Sequence, residues 1–311
     1  MKKTVIILPL LLVVFIIGFI PVTTSVGVRI NATYFNLFQQ LEVAHNWIKW
    51  QPELKKLASK GTLKVDSSKT GFRIKGGDVV FNVKYDNSNN FSIHEVKNNK
   101  EFNYKYAIGP DSSANSAIVL VSFKTNLLGY WRAKYNGRGI NQTAVLHLKA
   151  FMESTKLYYG FSIERKQTTG KLIMVKNEVV CKDNQFTEIN KILKELNDLV
   201  VKHQLQVVNA VQMQNTALAA DSVRVLVGLP VNKKITIQGN AVYMNMPPGK
   251  ILVGTFSGKY KDKQKIYDAM QSYIQDNYLH PLIQPYERFP DNKLPVSDNE
   301  IINMQVVIPY I

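Results

Sequence analysis

Apolar and polar positions in the C-terminal half of the chain follow one pattern that occurs twice. Apolar residues at helical spacing predict two amphipathic helices, one carrying Ile189, Leu193 and Leu196 and the other Ile266, Met270 and Tyr273. An apolar strand follows each helix, at residues 223–231 and again at 302–310. The helix copies lie 77 residues apart and the strand copies 79. This diverged repeat predicts one pseudo-two-fold domain with a cleft between its copies, which makes ligand binding the first function to consider.

Residues 25–160 show a different order of elements. Between residues 62 and 125 several runs alternate with period two, and clusters such as 86–90, which is rich in Asn, separate them as hairpin turns do. A strand and a short helix precede these runs, and a long helix over 141–159 follows them. The order predicts an α+β domain in which a curved antiparallel sheet wraps one long helix and leaves an apolar cavity. We place a second α+β domain, with an antiparallel sheet and two helices, at 161–311.

The N-terminus is almost wholly apolar from residue 5 to residue 20, directly after Lys2 and Lys3. Roughly 16 residues of helix span about 24 Å, slightly short for a bilayer core. A cleavable signal peptide is the alternative, although the run is longer than the usual core of such peptides and no clean cleavage site follows it. We expect an uncleaved transmembrane anchor over residues 1–24, with the lysines in the cytosol and the soluble part on the periplasmic side.

Composition makes the chain strongly basic and argues against metal and phosphate-loop chemistry. The net charge is +16, and the lysines are spread along the chain, which favours a general surface charge over a nucleic-acid groove. Cys181 is the single cysteine, and its apolar surroundings predict a buried structural thiol. The five histidines are scattered without ligand spacing, and no phosphate-binding glycine loop is present. We therefore expect no metal and no cofactor.

Residues 28–52 carry a resemblance to a known family. The tryptophan- and proline-bearing turn with Trp47, Trp50 and Pro52 resembles the opening of the polyketide-cyclase-like branch of the START superfamily. The resemblance implies a helix-grip fold over 25–160 with a cavity for lipid-like or aromatic molecules. Trp47 and Trp50 are candidates for lining that cavity, although packing at the rim of the sheet is the favoured alternative.

Residues 161–311 resemble the gyrase-inhibitor-like, AraC-type bacterial effector-binding domain. The match rests on residues 255–260, 286–290 and 307–309, together with the internal repeat. The chain departs from the family at Phe289, where a tyrosine is usual, and at Gln305, where regulators often carry a glutamate. These departures argue against the cationic ligands of some relatives. The chain also shows no helix-turn-helix, so we expect no nucleic-acid partner.

The candidate pocket of the second domain consists of Glu287, Tyr260, Tyr243 and Phe289, with Gln305 beside them. An aromatic wall with one buried carboxylate suits a flat or weakly cationic ligand, although each aromatic residue could equally belong to the core and Glu287 could form a surface ion pair. The function that we expect is binding of a small apolar or aromatic ligand by a membrane-anchored protein. The first alternative is a hydrolase of reactive small molecules with Glu287 as base, and the second is a basic scaffold for a protein or membrane partner. Catalytic residues stay unassigned.

Overall fold

The fold consists of two compact units, Met1–Ser154 and Thr155–Ile311. The computed structural model describes residues 18–113, 115–135, 142–236 and 240–311. Each unit combines helices with one antiparallel sheet, so the predicted α+β class is confirmed.

The predicted anchor lies mostly outside the described residues, because these begin at Gly18. Within them, no helix combines the length and the apolar character needed to cross a bilayer. The expected end of the anchor at residue 24 is wrong, because strand β1 already begins at Pro21 and pairs there with Asn126. Alternating exposure along this segment shows the period-two pattern of a strand rather than the even apolar surface of a membrane helix.

The first unit contains a seven-stranded sheet in the order β1-β7-β6-β5-β4-β3-β2. Its strands are β1 (Pro21–Ile30), β2 (Lys64–Ser68), β3 (Gly71–Gly76), β4 (Val79–Asn87), β5 (Asn90–Lys97), β6 (Lys100–Pro110) and β7 (Ala117–Asn126). Its helices are α1 (Tyr34–Glu42), α2 (Ala44–Trp50), α3 (Pro52–Ala58), α4 (Leu127–Tyr135) and α5 (Gln142–Glu153). Helix α5 contacts β1 and β7 and buries Val145 and Leu148 completely, so a helix does pack on the sheet as the sequence predicts.

The long helix predicted over 141–159 is interrupted. Residue 141 lies outside the described part, α5 ends at Glu153, and a short helix, α6 (Thr155–Tyr158), follows Ser154. The hydroxyl of Thr155 accepts a hydrogen bond from the backbone N–H of Ile163 at 3.0 Å. Serine and threonine offer the backbone such local alternatives to the helical ladder, and the apolar spacing gave no sign of this break.

The second unit contains an eight-stranded sheet in the order β12-β9-β11-β10-β14-β15-β13-β8. Its strands are β8 (Ser162–Thr168), β9 (Lys171–Cys181), β10 (Val211–Ala217), β11 (Ser222–Val231), β12 (Val242–Met246), β13 (Gly249–Lys259), β14 (Tyr286–Phe289) and β15 (Ile301–Tyr310). The sheet order is symmetric about its centre. If β8, β9, β10 and β11 are exchanged with β12, β13, β14 and β15, the result is the same order read from the other edge. The two copies of the sequence repeat are β11 and β15, at equivalent places, so the predicted pseudo-two-fold duplication is confirmed.

Two helices, α7 (Gln185–Lys202) and α8 (Gln264–Asp276), cover one face of this sheet. Their apolar stripes, which include Ile189 and Ile266, pack on inward residues of the strands in one large core. The face that turns away from both helices, called the helix-free face below, carries a smaller buried cluster. That cluster consists of Ile251, Val253, Tyr286 and Val307.

Cys181 is exposed, so the predicted buried thiol is wrong. The residue is the last of β9 and pairs with Ser222 at the end of the ladder. Val179 lies two residues earlier on the same face and is exposed as well. The sheet is therefore open to solvent at this end of β9, which a single apolar run does not indicate.

Candidate functional site

Glu287 lies at the centre of the second sheet, where the two repeat copies meet. The central strand pair is β10 with β14, and Met213 stands directly opposite Glu287 in their register. Met213 and Glu287 pair outward with Val227 and Val306, which are equivalent positions of the two copies. The seam therefore carries a methionine from one copy and a carboxylate from the other, and the carboxylate side chain is only 3% exposed.

Three donors from one short segment surround the Glu287 carboxylate. Lys263 Nζ lies 2.5 Å from Oε1 and Tyr267 OH lies 2.9 Å from the same oxygen. Tyr260 OH lies 2.9 Å from Oε2. The charge of a buried carboxylate is costly unless it is paired and hydrogen-bonded, and here both conditions hold. Lys263 is 25% exposed, so the network extends from the core to the surface.

The local fold explains why these donors converge. Strand β13 ends at Lys259, a single 3-10 turn covers Tyr260–Lys263, and α8 starts at Gln264. Residues at positions i, i+3 and i+7 share one side of a helical path, which directs Tyr260, Lys263 and Tyr267 toward the same strand. The Lys263 ammonium also lies 3.9 Å from the centre of the Tyr260 ring, a cation–π contact.

Both tyrosines of the network have raised pKa values. Burial is the largest cause for Tyr260 and for Tyr267, and the negative charge of Glu287 is the next. Both hydroxyls therefore stay protonated at neutral pH and remain hydrogen-bond donors toward the carboxylate. The Phe186 ring from α7 packs edge-on against the Tyr260 ring, with the ring centres 5.8 Å apart.

The remaining predicted pocket residues of this unit lie in three different places. Phe289 is on the same face as Glu287 and is completely buried in the large core. Tyr243 lies on the edge strand β12, which three strands separate from β14, and its hydroxyl accepts a hydrogen bond from Ile235 N at 3.2 Å. Gln305 pairs with Arg288 on the helix-free face. The structure therefore brings Glu287 and Tyr260 together but places Tyr243 and Gln305 elsewhere.

Lys263 and Tyr267 are the members of the network that were not predicted from the sequence. Their spacing of three and seven residues from Tyr260 was the available signal. The apolar stripe that predicts α8, with Ile266, Met270 and Tyr273, contains neither residue and gives no indication of the network.

Trp47 and Trp50 lie in the core of the first unit. The indole N–H of Trp47 donates to the carbonyl oxygen of Leu41 at 2.9 Å, and that of Trp50 donates to Gln40 at 3.4 Å. The Trp47 ring stacks on Tyr106 with centroids 6.1 Å apart. Both indole N–H groups are hydrogen-bonded within the protein, as expected if Trp47 and Trp50 pack in the core rather than line a ligand cavity.

A groove of about 760 Å³ in the first unit was not anticipated. Its lining includes Lys84, Lys105, Lys124 and His94, together with polar residues of five adjacent strands. Lys84 and Lys105 alternate with the buried positions of β4 and β6, so they lie on the outer face of the sheet. The period-two pattern of these strands held that information, but the lysines were interpreted as scattered surface charge.

No group of three or more metal-ligating side chains occurs among the residues that the structure describes. The candidate chemistry of the second unit is therefore that of one buried carboxylate with its hydroxyl and ammonium donors.

Comparisons with known proteins give weak likenesses. No family model and no curated protein matches the sequence. Among solved structures, the EcmrR C-terminal domain matches with 16% identity over 48% of this chain and 97% of its own, at a TM-score of 0.40. A START superfamily protein from Mycobacterium smegmatis matches with 12% identity over 42% and 97%, at 0.30. SAV2435 bound to tetraphenylphosphonium matches with 10% identity over 48% and 93%, at 0.31. At these TM-scores the likenesses decide neither the fold family nor the function of this chain.

Proposed function

We propose that this protein binds a small, uncharged aromatic or apolar molecule in its second unit, beside Glu287 at the seam of the duplicated sheet. One observation carries the proposal: a buried carboxylate at the pseudo-two-fold axis is held by two tyrosine hydroxyls and by a lysine that reaches the surface. Binding sites commonly combine an apolar wall with a few convergent polar groups, which is the composition here.

The charge of the network favours an uncharged ligand. Lys263 already neutralises Glu287 within the protein, so a ligand cation would have to displace the ammonium. Phe186 is only partly buried and its ring packs against that of Tyr260, so a flat molecule would pack on Phe186 next to the Glu287 network. A neutral aromatic molecule therefore fits the seam better than the cationic ligands suggested by the family resemblance.

Hydrolysis of a reactive small molecule is the second candidate. It would require Glu287 to take a proton from water or substrate. Both oxygens of Glu287 already accept hydrogen bonds from protein donors, so neither is free to accept a hydrogen bond from an attacking water without displacing one of them. This network places binding ahead of catalysis.

A screen by ligand-observed NMR tests the proposal on the full chain. We expect neutral aromatic fragments such as indole and 2-naphthol to bind, and Glu287→Gln to weaken binding at least tenfold because the ion pair that orders the network is lost. Glu164→Gln removes an exposed carboxylate of the same unit and serves as control, with binding unchanged. Equal affinities of the wild type and Glu287→Gln would overturn the proposal, and so would the absence of any bound neutral fragment.

We extend the proposal to the first unit and to the N-terminal segment, on the strength of the sequence alone. A START-like helix-grip domain would precede the gyrase-inhibitor-like domain, and an anchor within residues 1–20, which ends before β1, would hold both on the periplasmic side of a membrane. The lysine-bearing groove of the first unit supports the alternative of a basic surface that binds an acidic partner.

A further inference from the structure

A row of polar side chains crosses the helix-free face of the second sheet, directly behind the Glu287 network. Gln212 pairs with Arg288, Arg288 pairs with Gln305, and Gln305 pairs with Thr255. Directly paired residues on neighbouring strands point to the same face and lie about 5 Å apart at their Cβ atoms. Glu287 precedes Arg288 in β14, so its side chain points to the opposite face. The row is therefore a separate site from the proposed pocket.

Two donors in this row are buried and unsatisfied. The side-chain Nε2 of Gln212 and the Nε of Arg288 have no hydrogen-bond partner among the described residues. Gln212 is only 5% exposed, so water does not solvate its amide freely. Buried polar groups in native proteins are nearly always paired, and an unpaired group calls for a functional explanation. Two adjacent unpaired donors indicate an acceptor that comes from outside the chain.

Positive charge concentrates around the same donors. Neither Arg288 nor Lys171 forms a salt bridge within the part of the chain that the structure describes. Both cations lie on the helix-free face, and the pKa of Lys171 is lowered, first by burial and then by the positive charge of Arg288. Lys171 stands beside Met246 in the ladder, and Met246 Sδ accepts from Tyr286 OH at 3.6 Å.

The surroundings of the row are apolar on one side and open on the other. Tyr286, Val307 and Val253 belong to the small buried cluster of this face, and each lies two residues along its strand from a member of the row, Arg288, Gln305 and Thr255 respectively. Thr255, at the other end of the row, is exposed, which gives a route from solvent to the arginine. A guanidinium fork matches the geometry of a carboxylate, and a neighbouring amide N–H adds a third donor.

We infer that the helix-free face binds a small organic carboxylate, whose anionic group accepts from Arg288 and Gln212 beside Lys171 and whose apolar body packs on the cluster around Tyr286. This site is independent of the proposed Glu287 pocket. Its ligand is an anion, whereas some relatives in the family that the sequence resembles bind cations.

Calorimetric titration of the full chain with benzoate and hexanoate tests this site. We expect both to bind, and benzyl alcohol, the uncharged counterpart of benzoate, to bind at least tenfold more weakly. Arg288→Gln is expected to weaken benzoate binding at least tenfold, while Arg288→Lys, which keeps the charge but loses the fork, gives an intermediate loss. Lys293→Gln, an exposed lysine of the same unit, is the control with unchanged affinity. Glu287→Gln must also leave benzoate binding intact, which separates this site from the proposed pocket.

A second variant keeps the test decisive if Arg288→Gln does not fold. Gln212→Leu replaces an unpaired amide by an apolar group of similar size, so the unliganded protein should be as stable as the wild type or more stable. The same variant should lose most of the rise in melting temperature that benzoate gives the wild type. Unchanged benzoate binding in Gln212→Leu and in every folded Arg288 variant would overturn the inference, as would binding of inorganic phosphate without binding of either carboxylate.

Discussion

The chemistry of the second unit depends on Glu287, whose buried carboxylate is held by three side chains from the short segment that joins β13 to α8. The identity of Glu287 and Tyr260 as a pair was predictable, because both lie in segments with a family resemblance. Their partners Lys263 and Tyr267 could not be predicted in the same way. They lie 24 and 20 positions before Glu287, and only the folding of α8 onto the sheet brings them into contact with it. The orientation of Gln305 away from Glu287 follows from strand pairing, which a single sequence does not define.

The tyrosines of this network predict a specific alkaline instability. Tyrosine in the unfolded chain has a pKa of about 10, and the folded values of Tyr260 and Tyr267 are raised above it. Above about pH 10 the unfolded state therefore loses protons that the folded state keeps, and the free energy of unfolding falls as pH rises. Below that pH the contribution is complete.

Urea unfolding of the second unit, followed by far-ultraviolet circular dichroism between pH 9 and 11.5, measures this effect. Tyr267→Phe should reduce the slope above pH 10 by up to about 1.4 kcal/mol per pH unit, the value for one proton. Tyr278→Phe alters a tyrosine that is 70% exposed, and its slope should match the wild type. A Tyr267→Phe slope equal to that of the wild type would contradict the raised pKa.

At the scale of elements, the chain follows its apolar periodicity closely where both copies of the repeat agree. The two helices and the strands β11 and β15 stand where the pattern predicts them, because amphipathic stripes and a common core impose the same solution twice. The pattern failed where local polar contacts decide, as at Ser154, and where a strand is exposed at its end, as at Cys181.

A glycine in β3 provides a test of sheet packing in the first unit. Gly71 has φ +152°, and a Cβ at this position would lie 2.0 Å from the carbonyl oxygen of Val83. Gly71→Ala should therefore destabilise the first unit by about 2–5 kcal/mol, through backbone strain and overlap with the neighbouring strand.

Gly109→Ala is the matched control, because a Cβ there meets nothing within 4 Å and its φ is not in the left-handed region. Tryptophan fluorescence during urea unfolding reports the result selectively, since all three tryptophans, at positions 47, 50 and 131, belong to the first unit. Equal midpoints for the two variants would show that the strand pairing at Gly71 is not as described.

At the scale of the whole molecule, the sequence correctly predicted two α+β units and the duplication within the second. The predicted placement in a membrane stays a prediction, because it rests on residues 1–17. Carbonate extraction of membranes from expressing cells should leave the full chain in the pellet, whereas a variant lacking residues 2–17 should appear in the supernatant. A shortened wild-type chain in the supernatant would instead support the signal-peptide alternative.

The residues around Glu287 determine which class of ligand the second unit binds. A comparison of its affinities for a neutral and a cationic aromatic ligand tests this most directly. Calorimetry would measure the affinities of 2-naphthol and of the aromatic cation tetraphenylphosphonium for the wild type, for Lys263→Met and for Lys265→Met. Lys265, two residues after Lys263 in the first turn of α8, is 68% exposed and pairs with Asp262, so its variant controls for loss of charge. We predict that the wild type and Lys265→Met prefer 2-naphthol, and that Lys263→Met binds the cation at least tenfold more tightly because Glu287 is left without its internal partner. Identical affinities for both ligands in all three proteins would contradict a ligand site beside Glu287.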